Sequence, residues 1–139
     1  MKKILILAIL IIFSSGVVFA SGVNSYDKYG TKTGSFRTNG ETTTRYDRYG
    51  SKTGSYRTHG NTTTSYDKYG GKTGSYRTNG DTTTQYDRYG VKTGSYKTDS
   101  NGVTTSYDRY GRKTGTYKTD SSGRTTHYDR YGRKLGSYK

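Results

Sequence analysis

The sequence predicts an all-β protein, in which tandem β-hairpin repeats of 20–21 residues form an elongated meander or solenoid-like array. A twelve-residue motif, YDRYGSKTGSYR in the copy that starts at Tyr46, occurs six times with small changes. Each copy combines turn residues at fixed places with Thr- and Tyr-rich segments of strand length. A short, fixed period is typical of units that stack and contact mainly their neighbours. The copies start at Tyr26, Tyr46, Tyr66, Tyr86, Tyr107 and Tyr128.

Residues 1–20 have the pattern of a secretory signal peptide. Lys2 and Lys3 precede an apolar run, and Ala20 supplies the small residue expected at a cleavage site. The apolar run is short compared with the roughly 20 residues of a membrane-spanning helix. We therefore expect cleavage rather than a membrane anchor, with no transmembrane segment in the mature chain. The prediction is a bacterial protein that is secreted, periplasmic or on the cell surface, with residues 21–139 forming the repeat array.

Two turn signals divide each repeat, as the copy at residues 66–85 illustrates. The segment 67–70, Asp-Lys-Tyr-Gly, has Asp first and Gly fourth, as a type I turn prefers. Asn79-Gly80 is a strong signal for a two-residue hairpin loop. The segments between these signals, 72–78 and 81–86, are the predicted strands.

The position of the hairpin loop predicts a strand register. If Asn79-Gly80 is the whole loop, Thr78 faces Asp81, and Lys72 then faces Asp87. Such opposite charges across two strands are favourable. Whether the three aromatic residues of a repeat share one face stays open, because a β-bulge would shift the alternation. The same register predicts two further pairs, Lys32 with Asp47 and Lys52 with Asp67.

The composition leaves tyrosine and threonine to build the core. The mature chain has few aliphatic residues but holds all 17 Tyr, and the sequence has no Cys, which excludes disulfides and cysteine-based metal sites. In the last two junctions the loop is one residue longer, which a loop tolerates better than a strand. Two states are compatible with this composition: an ordered β array, or a largely flexible chain that orders on a ligand.

The segment 107–112, Tyr-Asp-Arg-Tyr-Gly-Arg, has the form Y-D-x-x-G-R, and residues 128–133 repeat it. This pattern resembles the YD repeats of the Rhs and teneurin-like proteins. The Y-D-x-x-G part occurs in every copy, so the resemblance covers nearly all of the mature chain. It implies consecutive β-hairpins, exposure at the cell surface and carbohydrate binding.

The charge pattern predicts a polyanion as partner. Without Lys2 and Lys3, the formal net charge falls from +14 to +12, spread over all the repeats. Cations interleaved with aromatic rings suit acidic polysaccharide, lipopolysaccharide or another envelope polyanion; extracellular DNA is less favoured. The alternative is that the charge only keeps the sheet soluble and protects its edges. The predicted contact residues lie at turn tips: Tyr49, Tyr69, Tyr89 and Tyr110, with their neighbours Arg48, Lys68, Arg88 and Arg109.

The sequence predicts no catalytic residue, no metal site and no cofactor. His59 and His127 occupy different places in the repeat, and the Asp of each YD pair is a turn residue. No mature segment has an amphipathic helical stripe, which disfavours a membrane-disrupting peptide. We therefore expect a non-enzymatic binding protein. The alternative is a purely structural or self-assembling protein whose open sheet ends pair with other copies.

Overall fold

A computed structural model describes residues 22–139 as twelve antiparallel β-strands in one sheet. The predicted all-β architecture of hairpin repeats is confirmed. The predicted signal peptide, residues 1–20, lies outside the described residues. The strands are β1 (Gly22–Asp27), β2 (Lys32–Asn39), β3 (Thr42–Asp47), β4 (Lys52–His59), β5 (Thr62–Asp67), β6 (Lys72–Asn79), β7 (Thr82–Asp87), β8 (Lys92–Thr98), β9 (Thr104–Asp108), β10 (Lys113–Thr119), β11 (Thr125–Asp129) and β12 (Lys134–Tyr138).

The sheet closes into a barrel. Each strand pairs with the next one along the chain, and β12 pairs back with β1, where Ser25 lies opposite Tyr138. Asn24 and Lys139 complete this seam with two backbone hydrogen bonds, of 2.7 and 2.9 Å. The expected elongated meander or solenoid-like array is therefore wrong: the repeats form an up-and-down closed barrel.

A constant stagger explains the closure. Val23 lies opposite Phe36, and Phe36 lies opposite Arg45. Arg45 follows Val23 by 22 residues, whereas the repeat here is 20 residues long, so the register advances by two residues per repeat. A stagger that accumulates in one direction tilts the strands, which is the condition for closing a sheet into a barrel.

The Asp-x-Tyr-Gly segments form the turns at one end of the barrel. In the copy at residues 67–70, the N–H of Gly70 donates to the carbonyl of Asp67 at 3.2 Å. The Oδ1 atom of Asp67 accepts the N–H groups of Tyr69 and Gly71, at 2.9 and 2.8 Å. Gly70 has a φ of 89°, which other residues rarely adopt. The hydrogen bond and the absence of a positive φ at the two central residues fit the predicted type I turn, in which Gly70 is the fourth residue, two positions before β6.

The hairpin loop at the other end lies one residue later than predicted. Gly80-Asp81 is the loop, and Asn79 belongs to β6, where it pairs with Thr82. Gly80 has a φ of 57°, whereas no residue other than glycine has a positive φ among those described. One positive φ, at the first loop residue, is what a type II′ turn requires. The Asn-Gly signal therefore marks the right hairpin but the wrong loop residues.

The predicted charge pairs are wrong for the same reason. Asp87 faces Gly74 rather than Lys72, and Lys72 faces Tyr66 on the other neighbouring strand. The shift of two positions keeps every side chain on its face of the sheet, so the alternation alone could not reveal it. The two other predicted pairs shift identically, with Gly34 facing Asp47 and Gly54 facing Asp67.

The longer loops adopt the turn of the opposite end. In the loop 99–103, the N–H of Gly102 donates to the carbonyl of Asp99 at 3.0 Å. The Asp99 carboxylate accepts the N–H groups two and four residues later, both at 2.9 Å. Thr98 and Thr104 still meet across the hairpin, with their hydroxyl oxygens 2.8 Å apart. The added residue therefore lies in the loop, as predicted, and exchanges one type of tight turn for another.

The three aromatic residues of a repeat point in three directions. In the second copy, Tyr46 is half-buried on the outer wall, Tyr49 is exposed at the turn tip, and Tyr56 is buried inside the barrel. The register shifts between Arg45 and Tyr46, which leaves Thr53 of β4 as an extra residue in a bulge. This bulge changes the alternation and resolves the question that the sequence leaves open.

Six aromatic rings and paired threonines fill the barrel. In one such pair, the hydroxyl oxygens of Thr38 and Thr43 lie 2.9 Å apart, so each group satisfies the other inside the core. The rings of Tyr96 and Tyr117 meet edge to face with centroids 6.4 Å apart. The rings exposed by at most 7% are Phe36, Tyr56, Tyr76, Tyr96, Tyr117 and Tyr138.

Candidate functional site

The six Asp-x-Tyr-Gly turns lie together at one end of the barrel, because successive strands alternate in direction. We call this end the rim. The opposite end, called the far end, carries the five other loops and both termini of the described chain. The rim consists of residues 27–32, 47–52, 67–72, 87–92, 108–113 and 129–134.

The tip of each rim turn carries an exposed tyrosine. The third residue of the turn points away from the sheet, and these rings are 68–85% exposed. The predicted contact residues Tyr49, Tyr69, Tyr89 and Tyr110 all lie on the rim, where Tyr29 and Tyr131 complete the set of six. The prediction missed these two, although they occupy the same place in the first and last copies. Because the barrel is closed, the tip tyrosines form a ring, whereas in an open array of repeats they would lie in a row.

Each tip tyrosine has a cation beside it. The charged group of the preceding Lys or Arg lies 4.6–5.4 Å from the ring centroid in all six copies, within the range of cation–π contact. Arg48 also donates from Nη2 to the hydroxyl of Tyr49 at 2.6 Å. The predicted cations are therefore adjacent to their predicted rings. The six cations are Lys28, Arg48, Lys68, Arg88, Arg109 and Arg130.

The rim is strongly cationic. It holds fourteen Lys and Arg against six Asp, a formal charge of +8 out of +12 for the described residues. Arg112 and Arg133 add a second cation beside a tip ring, 5.5 Å from Tyr110 and 5.4 Å from Tyr131. Two thirds of the net charge therefore lies at one end of the barrel.

The rim aspartates are occupied by their own turns. Each accepts two backbone N–H groups through one oxygen, as Asp108 does from Tyr110 and Arg112 at 2.9 and 3.0 Å. The backbone hydrogen bond from Arg112 lowers the pKa of Asp108, and the guanidinium of Arg112, 2.8 Å away, adds to the effect. The rim carboxylates hold the turns through these hydrogen bonds, while the neighbouring cations are exposed to solvent.

A second set of tyrosines surrounds the outer wall and was not among the predicted contact residues. Each lies opposite the first Lys of a neighbouring strand, as Tyr46 lies opposite Lys52. Arg37 approaches the ring of Tyr46 from the other side, 5.5 Å from its centroid. These rings are only half-exposed. We call them the belt: Tyr26, Tyr46, Tyr66, Tyr86, Tyr107 and Tyr128.

The interior holds buried aromatic and polar side chains that contact one another. Arg45 points inward and donates to the hydroxyl of Thr53. Burial raises the pKa of Tyr56 to about 12, and the charge of nearby Arg45 opposes that shift. The interior also holds His127, whose ring stacks on Tyr117 with centroids 4.1 Å apart, whereas His59 is exposed at the end of β4. The two histidines therefore lie in different environments and do not form a pair.

Compared with models of known protein families and with curated proteins, the sequence matches none of them. Residues 22–139 contain no helix long and apolar enough to cross a membrane. The chemistry of the rim is therefore what indicates a function.

Proposed function

We propose that the protein is an exported, non-enzymatic binding protein that holds anionic polysaccharide or another anionic envelope polymer on its rim. The observation that carries this proposal is the ring of six exposed tyrosines, each in contact with a cation, at the most basic end of the barrel. Aromatic faces stack on sugars or bases, and cations neutralise acidic groups. Bacterial export and kinship with YD repeats remain part of this proposal.

The geometry of the rim supports multivalent binding. Neighbouring tips are two strands and two residues of stagger apart. With strands about 4.8 Å apart and a rise of about 3.3 Å per residue, the spacing between equivalent positions is about 12 Å. A polymer with regularly spaced acidic groups contacts several tips, and weak contacts on one chain reinforce one another.

Closure weakens the alternative of a self-assembling protein. Among residues 22–139 every strand is paired on both sides, so no sheet edge is left for another copy. Association through the rim would bring two surfaces of formal charge +8 together. Salt would promote such association by screening, whereas it weakens polyanion binding.

The test compares two variants that each lose four cations. The expected result is that the rim variant binds immobilised dextran sulfate more weakly, with a salt dependence shallower by roughly one unit for each lost contact. The outer-wall variant should stay close to the wild type. The rim variant carries Ser at positions Arg48, Lys68, Arg88 and Arg109, and the control carries Ser at the exposed positions Arg57, Arg77, Lys97 and Lys118.

Neutral dextran is the ligand control for both variants. Equal weakening by the two variants would show that net charge alone causes retention, and the rim would lose its assigned role. Absence of binding to dextran sulfate at low salt would overturn the proposed function.

A further inference from the structure

We propose that the rim docks end-on onto a planar anionic lipid surface, with all six turn tips in the headgroup layer at once. The inference rests on the proposed function, because it uses the rim as the anion-binding end. It names the form of the partner: phosphate-bearing lipid headgroups arranged in a plane. The barrel axis then stands upright on that plane.

The distribution of exposed apolar side chains favours a lipid surface over a soluble polymer. Val91 is 55% exposed within the rim and Leu135 is 40% exposed directly beside it. Together with the six tip tyrosines, they are all the exposed large hydrophobic residues among those described. Sugars stack on aromatic rings but gain little from contact with exposed aliphatic side chains. Rings, aliphatic groups and cations side by side suit the boundary between headgroups and acyl chains.

The shape of the rim favours a planar lipid surface over a linear polymer as the partner. The stagger is the same in every repeat, so the tips follow one another around the barrel axis at one level. A linear polymer that crosses such a ring contacts only some of the tips. A flat surface contacts all of them without any change in the protein.

The charge distribution orients the barrel towards such a surface. The rim has a formal charge of +8, and the rest of the described chain has eight Lys and Arg against four acidic residues, or +4. An anionic membrane attracts the more positive end. The carboxylates of the rim are held by backbone N–H groups, so the turns keep their shape as the cations meet phosphates.

Vesicle binding tests the partner. The protein should sediment with phosphatidylcholine vesicles that contain phosphatidylglycerol and stay in solution with phosphatidylcholine alone. Removal of one tip cation, by Lys68→Ser or Arg88→Ser, should lower the partition coefficient about five-fold in each case. The two variants should lower the partition coefficient by similar factors, because every turn tip contacts the lipid surface. Arg57→Ser on the outer wall is the matched control and should change the partition coefficient little.

Orientation is tested with single labels, since the sequence contains no Cys. Ser51→Cys places a polarity-sensitive fluorophore on the rim, and Asn61→Cys places one at the far end; both positions are exposed. Anionic vesicles should shift the emission of the rim label to shorter wavelength and leave the far-end label unchanged. This readout does not depend on a variant that weakens binding.

Several results would overturn the inference. If both labels shift equally, or only the far-end label shifts, the barrel does not stand on its rim. If only one of Lys68→Ser and Arg88→Ser lowers the partition coefficient, the tips do not all meet the ligand, and a planar partner is excluded. Binding to dextran sulfate without binding to phosphatidylglycerol vesicles would overturn the lipid partner and leave the proposed function standing. Binding to neither would overturn both.

Discussion

At the scale of single residues, six glycines inside strands are required by a neighbouring backbone. A Cβ atom built on Gly74 would lie 2.6 Å from the carbonyl oxygen of Tyr86 on the adjacent strand. The five equivalent glycines show the same contact at 2.5–2.7 Å. Real Cβ atoms do not approach a backbone oxygen so closely, so any side chain here must displace a strand. The glycine that follows Lys-Thr in five copies and Lys-Leu in the last therefore reflects close packing between strands.

Gly74→Ala should lower the free energy of unfolding by about 1–3 kcal/mol, the usual range for overpacking a tight site. Urea unfolding followed by circular dichroism measures this change. Gly71→Ser is the matched control, because the other five copies carry a side chain at its position. Unfolding midpoints that agree for the wild type and Gly74→Ala would show that the strands can separate locally at no cost.

His127 makes one repeat sensitive to acid. The Nδ1 atom of its buried ring has no hydrogen-bond partner among the described residues, and burial lowers the pKa of His127 from 6.5 to about 4. Between these values the unfolded chain binds a proton that the folded barrel excludes. Stability from this residue is therefore complete above pH 6.5 and falls as the pH drops towards 4.

His127→Ser should remove most of this pH dependence, because a Ser hydroxyl does not titrate in this range. Ser fits the position, since it occupies the equivalent place in the copies with Ser65 and Ser106. The difference between the variant and the wild type in the pH dependence of unfolding should be on the order of 3 kcal/mol across the window. Urea unfolding at a series of pH values measures it. His59→Ser, at an exposed position, should leave the pH dependence unchanged; parallel curves for His127→Ser and the wild type would refute the assignment.

At the scale of elements, the Asp-x-x-Gly turn is the recurring connection. It closes all six hairpins at the rim and the loops at 99–103 and 120–124 at the far end. The Asp side chain satisfies two N–H groups that the turn leaves unpaired, and Gly adopts the positive φ. These local interactions explain why sequence analysis located the rim turns correctly, while the Asn-Gly loops, which two registers can accommodate, were misplaced by one residue.

Asp67→Ala should lower the thermal stability by about 1 kcal/mol or somewhat more, because two backbone donors lose a charged acceptor but remain within reach of water. Asp67→Asn should lose less, since its amide oxygen can still accept both hydrogen bonds. Thermal unfolding followed by circular dichroism compares the three proteins. If Asp67→Asn and Asp67→Ala lower the thermal stability equally, the charge of Asp67 stabilises the turn rather than its hydrogen-bond geometry.

At the scale of the whole molecule, closure depends on the number of repeats. The seam between β1 and β12 is antiparallel like the other strand pairs, but it is the shortest of them, with three paired positions against four to six elsewhere. Six rings occupy the interior, one from each repeat. A barrel with fewer strands is narrower, so its core must be repacked.

A circular permutant should test whether the short seam holds when its two strands are joined by a loop. Residues 22 and 139 are joined by a short linker, and new termini are opened between Gly60 and Asn61. The β spectrum should be preserved and the melting temperature should shift by only a few degrees, since the junction and the cut both lie at the far end. Deletion of residues 46–65, a whole repeat, should instead abolish cooperative unfolding. A deletion variant that melts as sharply as the wild type would show that closure tolerates ten strands.

The rim itself was predictable only in part. Tyr69 and Lys68 could be identified because a turn tip exposes its two central residues whatever the surrounding fold. That the tips of all six copies share one end, with Val91 in the rim and Leu135 beside it, follows from the barrel and not from any single repeat. The belt was missed because the bulge at Thr53, which has no clear signal in sequence, is what places Tyr46 and Tyr56 on opposite faces of the sheet.

By itself, the sequence determined the local units: strands rich in Thr and Tyr, turns closed by Asp and Gly, and a tyrosine at each turn tip. These features depend on contacts within a few residues, which each copy contains in full. Only the tertiary structure decided the register, the inward direction of Tyr56 and the closure of β1 on β12. Those depend on the stagger summed over all the repeats and on the space for the interior rings, and neither quantity exists within one copy.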